Sequence, residues 1–271
     1  MIKKVNGLRR HSPGWKYDLP APNTPPNEHI YSNYFNTTPN HIDLTYLELS
    51  RSTIRVRGIA LLGGIALLTI NTMAFLFFSY VALNPKIAVS TDVIIICFSI
   101  TLAIYLLCIP AIRLDITTPR DEPIRFNRHR QKVYFYHFKY DWFFFFSRHR
   151  WHVKPIIHDW ADLIAEACSM YAPGSGGLKE NIMIAVRKPG TDEVIARYFF
   201  AHDIEEGKKY WTIARLYMQQ GHDVLPEFSH PPRDWNNDAE VSLIRRLAPK
   251  VQWPPDIDLE SRTAPNSGAD Q

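Results

Sequence analysis

Two long stretches without a single charge constrain this chain more than any other feature. Gly58 to Leu83 reads GIALLGGIALLTINTMAFLFFSYVAL, and Val93 to Ile112 reads VIIICFSITLAIYLLCIPAI. A helix rises 1.5 Å per residue, so about 20 apolar residues cross a hydrocarbon core roughly 30 Å thick. Both stretches meet that length. The link between them, NPKIAVSTD, has a helix stop at Asn84-Pro85 and capping residues at Ser90-Thr91-Asp92. The prediction is an antiparallel transmembrane hairpin over 58–112, made of helices at 58–83 and 93–112. A signal peptide is excluded by position, because a long polar segment precedes Gly58.

Basic residues flank the hairpin on its outer ends. Arg51, Arg55 and Arg57 precede it, Arg113, Arg120, Arg125, Arg128, Arg130 and Lys132 follow it, and only Lys86 lies in the link. The positive-inside rule then predicts a protein that crosses the membrane twice, with both termini cytoplasmic. The spans hold no ionisable residue, which argues against an ion path. Ala60 and Gly64 form one small-xxx-small pair suited to close helix packing within the hairpin or between copies.

The rest of the chain is polar and mildly basic. A formal charge of +4, from 31 Lys and Arg against 27 Asp and Glu, comes with no concentrated basic stripe, so no nucleic-acid partner is expected. Of the three cysteines, Cys97 and Cys108 fall in a span and Cys168 stands alone, which predicts no disulfide framework.

Residues 1–57 read as an N-terminal cytoplasmic arm. Pro20, Pro22, Pro25, Pro26 and Pro39 make its first 40 residues an extended or disordered segment, whereas Asp43 to Leu49 alternates as a strand able to join a later sheet. Residues 113–228 read as a β-rich domain. Pro123 to Asn127 and Lys132 to Phe138 form a hairpin around Arg128–Gln131. Further strands are predicted over Trp142–Phe146, Trp151–Ile157, Asp162–Ala167, Asn181–Arg187 and Val194–Ala201, all in one antiparallel sheet system. From Ile204 to Gln220 the period becomes helical, with Tyr210, Ile213, Ala214, Tyr217 and Met218 on one face and Gly221 at the cap. Residues 229–271 form a C-terminal tail. The segment from Asp121 onward is expected to bury its own core. The fold class is therefore an α+β membrane protein: a two-helix transmembrane hairpin with a β-rich cytoplasmic domain closed by a helix, similar to a pleckstrin-homology-like barrel.

Several motifs invite chemistry and yield little. The basic turn Arg125–Lys132 suits either anionic headgroups or a solvated hairpin tip. The run Trp142-Phe143-Phe144-Phe145-Phe146 cannot alternate faces, so it must be covered by core, lipid or a partner. His149 and His152, three apart on a strand, face opposite sides and do not share a metal with His158. Ala172–Gly177 lacks the Lys-Ser/Thr ending of a phosphate-binding loop. Glu205-Glu206 suits the positive end of a helix dipole rather than acid–base work. No catalytic, cofactor-binding or metal-binding residue is assigned, no cofactor is implied, and a non-enzymatic protein is expected.

The phrases Tyr46-Leu47-Glu48-Leu49 with Arg51, Pro123-Ile124-Arg125-Phe126-Asn127-Arg128, His158-Asp159-Trp160, and Trp211-Thr212-Ile213-Ala214-Arg215-Leu216-Tyr217-Met218 through Gly221 to Leu225-Pro226 carry a resemblance. It spans about residues 43–228. The chain resembles an uncharacterised proteobacterial membrane protein family found in gene clusters of the type VI secretion system. The resemblance implies a membrane-anchored immunity protein whose partner is a co-encoded antibacterial toxin. It supplies no catalytic residues. The alternative is an accessory membrane scaffold that recruits a secretion or envelope component.

Overall fold

The computed structural model describes residues 10–25, 38–51, 58–172, 177–225, 228, 230–234, 236 and 246–265. In chain order the elements are β1 (Trp15–Asp18), β2 (His41–Ile42), β3 (Tyr46–Leu49), α1 (Ile59–Ala82), α2 (Thr91–Thr117), β4 (Ile124–Asn127), β5 (Lys132–Lys139), β6 (His152–Asp159), β7 (Leu163–Ala172), β8 (Gly177–Arg187), β9 (Val194–Ala201), α3 (Ile204–Gln220) and α4 (Pro255–Arg262). Arg55 and Arg57, two of the residues used to predict orientation, lie outside the described residues. So do Pro26, Pro226 and residues 173–176 of the glycine-containing loop.

Helices α1 and α2 are both long and apolar enough to cross a membrane. They pair antiparallel. Thr72 Oγ1 and Tyr105 Oη share a hydrogen bond of 2.5 Å across the pair, and a methyl group at Gly64 would sit 2.7 Å from the Ile112 side chain. The glycine therefore serves the hairpin's own packing. Helix α2 runs through Pro110 and past the predicted end at Ile112 to Thr117. Its last turns carry Asp115, whose Oδ2 accepts from the backbone N–H groups of Gly58 at 2.8 Å and Leu61 at 3.0 Å. Gly58 has no side chain with which to cap α1. The neighbouring helix supplies a carboxylate instead, where unpaired N–H groups and the helix dipole attract negative charge.

The strands form two sheets rather than one. One has the order β1-β7-β8-β9 and the other β2-β3-β4-β5-β6, and every pairing is antiparallel. The chain changes layers at the short turn Trp160–Asp162 between β6 and β7. Trp160 is buried there, edge-on to Phe126 and 5.0 Å from the Trp211 ring. Alternation fills the space between the layers. Leu47, Leu49, Ile124, Phe126, Val133 and Phe135 face Leu163, Ala165, Ala167, Ile182, Ile184 and Val186.

Helix α3 closes this core with Trp211, Ala214, Tyr217 and Met218. Asp203 Oδ1 accepts from the N–H groups of Glu205 and Glu206 at 2.8 and 3.1 Å, which sets its start. Gly221 ends it at φ 92°, a backbone region open to glycine at little cost.

The N-terminal segment is more than an arm where it is described. β1 pairs with β7, Leu19 enters the core, and the Trp211 indole N–H donates to the Pro20 carbonyl at 2.9 Å. Because β3 supplies Leu47 and Leu49 to the core, the segment from Asp121 onward does not contain a complete core of its own. The apolar hairpin is inserted between β3 and β4, which are neighbours in one sheet with Leu49 opposite Ile124.

Candidate functional site

The insertion leaves two chain crossings side by side, one entering the hairpin after Leu49 and one leaving it before Ile124. Arg51 holds them together. Its backbone N–H donates to Asp121 Oδ1 at 3.1 Å, its Nε to the Glu122 carbonyl at 3.0 Å, and its Nη atoms to the carbonyls of Phe199 at 2.8 Å and Tyr136 at 3.0 Å. The Glu122 carboxylate lies 3.6 Å from the guanidinium and also accepts from the Phe138 N–H at 3.1 Å.

Arg51 is 2% exposed. Burial pushes its guanidinium below the ordinary arginine range, while Glu122 and Asp121 pull the other way. Burial likewise raises the Asp121 carboxyl, against hydrogen bonds from Asn40, Arg51 and Glu122. A cavity of about 240 Å³ opens beside this network, between Leu114 of α2 and Thr118 just beyond it and the side chains of Glu122, His137 and Tyr198. His137 Nδ1 is 3.6 Å from Glu122 Oε2.

The loop between β5 and β6 stands next to this junction. The aromatic run it carries is a turn, not the predicted strand. Only Phe145 of the run is buried, with Phe138 and Trp151, against Ile109 and Leu114 of α2. Five bulky aromatics in succession cannot place alternate residues in a core, so the chain coils and presents the others outward. The Arg113 guanidinium lies 4.7 Å over the Trp151 ring, and that of Arg150 lies 3.7 Å over Phe144.

Residues 246–264 strap the outer face of the second sheet, and Asn40, which donates to Asp121 at 3.2 Å and to Glu48 at 3.4 Å, links this face to the junction. Arg125, buried on β4, pairs with Glu48 Oε2 at 2.5 Å and with Asp258 Oδ1 at 2.7 Å, and its guanidinium stacks 4.4 Å over Trp253. Asn127 donates to the carbonyls of Ser261 and Thr263, both at 3.0 Å, and Tyr134 Oη donates to Glu260 Oε1 at 3.0 Å. A polar cleft of about 530 Å³ remains between the strap and the sheet, lined by Asn40, His41, Glu48, Asp234, Trp253 and Arg262. Donors and acceptors of both signs line it, which suits a polar protein surface better than an apolar small molecule.

The structure redistributes the residues singled out from sequence. The basic turn Arg128–Gln131 sits at the end of β4 remote from the hairpin, and its neighbours are engaged by the strap. Arg130 Nε donates to the Thr263 carbonyl at 2.9 Å, and Lys132 Nζ lies 3.4 Å from Glu260. Arg51, Arg120 and Arg125, read as topology charges, are structural. Arg120 binds the carbonyls of Asn236, Arg246 and Ala248.

His149 and His152 are exposed and apart from His158, which hydrogen-bonds Tyr198 Oη at 3.2 Å. Glu205 and Glu206 occupy the first turn of α3. Among the described residues one grouping has metal-ligand spacing, His11, Asp18 and Glu166. There Arg197 binds both oxygens of buried Glu166, at 2.9 and 3.3 Å, and already provides the positive charge a cation would bring.

Sequence reasoning missed Asp115, Asp121 and Glu122. The signal was present as carboxylates set among arginines directly beyond an apolar span, a costly position for charge without partners.

The fold and junction define a class: a two-sheet α+β domain into which a pair of apolar helices of membrane-spanning length is inserted. A family model described as "Family of unknown function (DUF6708)" matches residues 100–265, more than half of the 271 residues. The chain belongs to that family. The match runs from within α2 through β4 to β9, α3 and α4. No curated protein and no solved structure matches the chain.

Proposed function

We propose that this chain is a membrane-anchored, non-enzymatic binding protein of the immunity type. It crosses the bacterial inner membrane twice through α1 and α2, keeps both termini in the cytoplasm, and binds and neutralises a toxin encoded beside it and delivered by type VI secretion. The observation that carries the anchoring is the insertion of the hairpin between adjacent strands, with both crossings clamped by Arg51, Asp121 and Glu122. Such an insertion keeps the two flanking segments on one side of any membrane the helices cross. Basic flanks favour the cytoplasmic side.

The succession β3-β4-β5-β6 in one layer, β7-β8-β9 in the other and then a closing helix supports a pleckstrin-homology-like reading of the domain. In that reading the hairpin occupies the first strand connection. Binding rather than catalysis is supported by the buried charges Arg51, Glu122, Arg125 and Glu166, each engaged in holding elements together. The toxin partner comes from the resemblance to type VI-associated proteins. The polar cleft under the strap offers it a surface.

The test is co-expression of the adjacent open reading frame with this protein, followed by pull-down and toxin titration. Protection that scales with the ratio of protein to toxin, together with a captured complex, supports the reading. One copy protecting against a large molar excess, or a neighbour harmless in both cytoplasm and periplasm, favours the scaffold alternative instead.

A further inference from the structure

The loop between β5 and β6 displays aromatic side chains where a soluble loop would carry polar ones. Phe143 is 87% exposed and Phe146 80%, and Trp142 and Phe144 are also exposed. Their neighbour Phe145 is buried in a cluster with Trp151 that packs on Ile109 and Leu114 of α2. Ile109 lies six residues before Asp115, the residue that caps α1. At 1.5 Å per residue this is roughly 9 Å into the hairpin from its base. The loop therefore stands beside the apolar flank of the helix, not beyond its end. Arginines ring it: Arg113 over Trp151, and Arg150 over Phe144 with an ion pair to Asp141 at 2.9 Å.

Phe and Trp rings in water, contiguous with a lipid-compatible helix surface and edged by guanidinium groups, match the chemistry of the headgroup–acyl boundary. There aromatic rings sit at the interface and cationic heads meet phosphate. We propose that Trp142, Phe143, Phe144 and Phe146 enter the bilayer interface on the side from which α2 emerges, with Arg113 and Arg150 at the headgroup level. The loop forms a third membrane contact beside the two spans and fixes the orientation of the β-domain on the membrane. This rests on the reading of α1 and α2 as membrane spans.

The test uses the full-length chain in vesicles of phosphatidylcholine and phosphatidylglycerol, with its three cysteines replaced. A single environment-sensitive fluorophore is attached at Phe143→Cys, at Phe146→Cys, or at Thr191→Cys in the exposed turn between β8 and β9 as the aqueous control. Alkaline carbonate extraction is run on the same vesicles. The expected result is a blue-shifted emission at 143 and 146, several-fold weaker iodide quenching than at 191, and quenching by lipids spin-labelled near the headgroup, in protein that resists carbonate. Carbonate-resistant protein whose labels at 143 and 146 are as accessible to iodide as that at 191 overturns the loop proposal and leaves the spans standing. Extraction by carbonate overturns the spans and the proposal together. A blue shift that disappears when the protein is diluted into excess lipid shows that a second copy, not lipid, covers the loop, and also overturns it.

Discussion

Arg51 shows how much one side chain decides here. Three carbonyls and the Glu122 carboxylate converge on a guanidinium withdrawn from water. Removing one partner of a buried pair leaves the other uncompensated, at a cost of about 3–5 kcal/mol. Arg51→Ala is therefore expected to lower the melting temperature of the detergent-solubilised chain by several degrees and to loosen the junction at Asp121. Arg51→Lys is expected to restore only part of the loss, because an ammonium does not reproduce the planar fork that spans Nε and both Nη atoms. A wild-type melting curve for Arg51→Ala, measured by thermal shift, would show that the junction does not depend on this residue. The arginine is visible in the sequence, yet nothing local distinguishes it from Arg55 and Arg57. Its burial depends on Asp121 and Tyr136, far away along the chain.

At the scale of elements, α3 was legible over its full length. Its 3.6-residue period and its Gly221 stop are local signals, the helix spans the predicted Ile204 to Gln220, and the structure adds the Asp203 cap at its start. Tyr217 on its inner face is fully buried and donates from Oη to the Asp43 carbonyl at 3.0 Å. Tyr217→Phe keeps the ring and loses that bond, so a destabilisation of about 1 kcal/mol is expected. Tyr217→Asp buries an unpaired charge and is expected to cost several kcal/mol. Denaturant titration of both variants separates the two effects, and equal losses would mean the position is not enclosed. The aromatic loop was legible only as an anomaly. The run was expected as a strand, and both the turn it forms instead and the ring that faces inward depend on packing against α2. The strap was not legible, because Arg125, Asn127 and Tyr134 alternate with core residues as solvent-facing positions do, and the segment that covers them lies more than a hundred residues later.

For the whole molecule, the inserted hairpin makes a prediction about dissection. Arg51 and Asp121 touch, so a two-residue Asn-Gly turn joining them in place of residues 52–120 should preserve the pairing of β3 with β4. That shortened chain is expected to be soluble without detergent and to melt cooperatively. The fragment 121–271, which lacks Leu47 and Leu49, is expected to melt broadly or to aggregate. Circular dichroism with thermal melting and size-exclusion chromatography compare the two, and cooperative melting of the fragment would show that β3 is dispensable. The sequence by itself determined the two apolar helices, the β4–β5 hairpin and the closing helix, because each follows from the spacing of apolar residues and from turn or cap residues within a few positions. Only the tertiary structure decided that the strands divide into two facing sheets at Trp160, that the N-terminal segment lends β1 as well as the β3 strand that its alternation had indicated, and that the C-terminal segment straps the outer face. The physical reason is that strand partners and buried ion pairs are chosen by what comes within a few ångströms after collapse, across separations in sequence that no local period records.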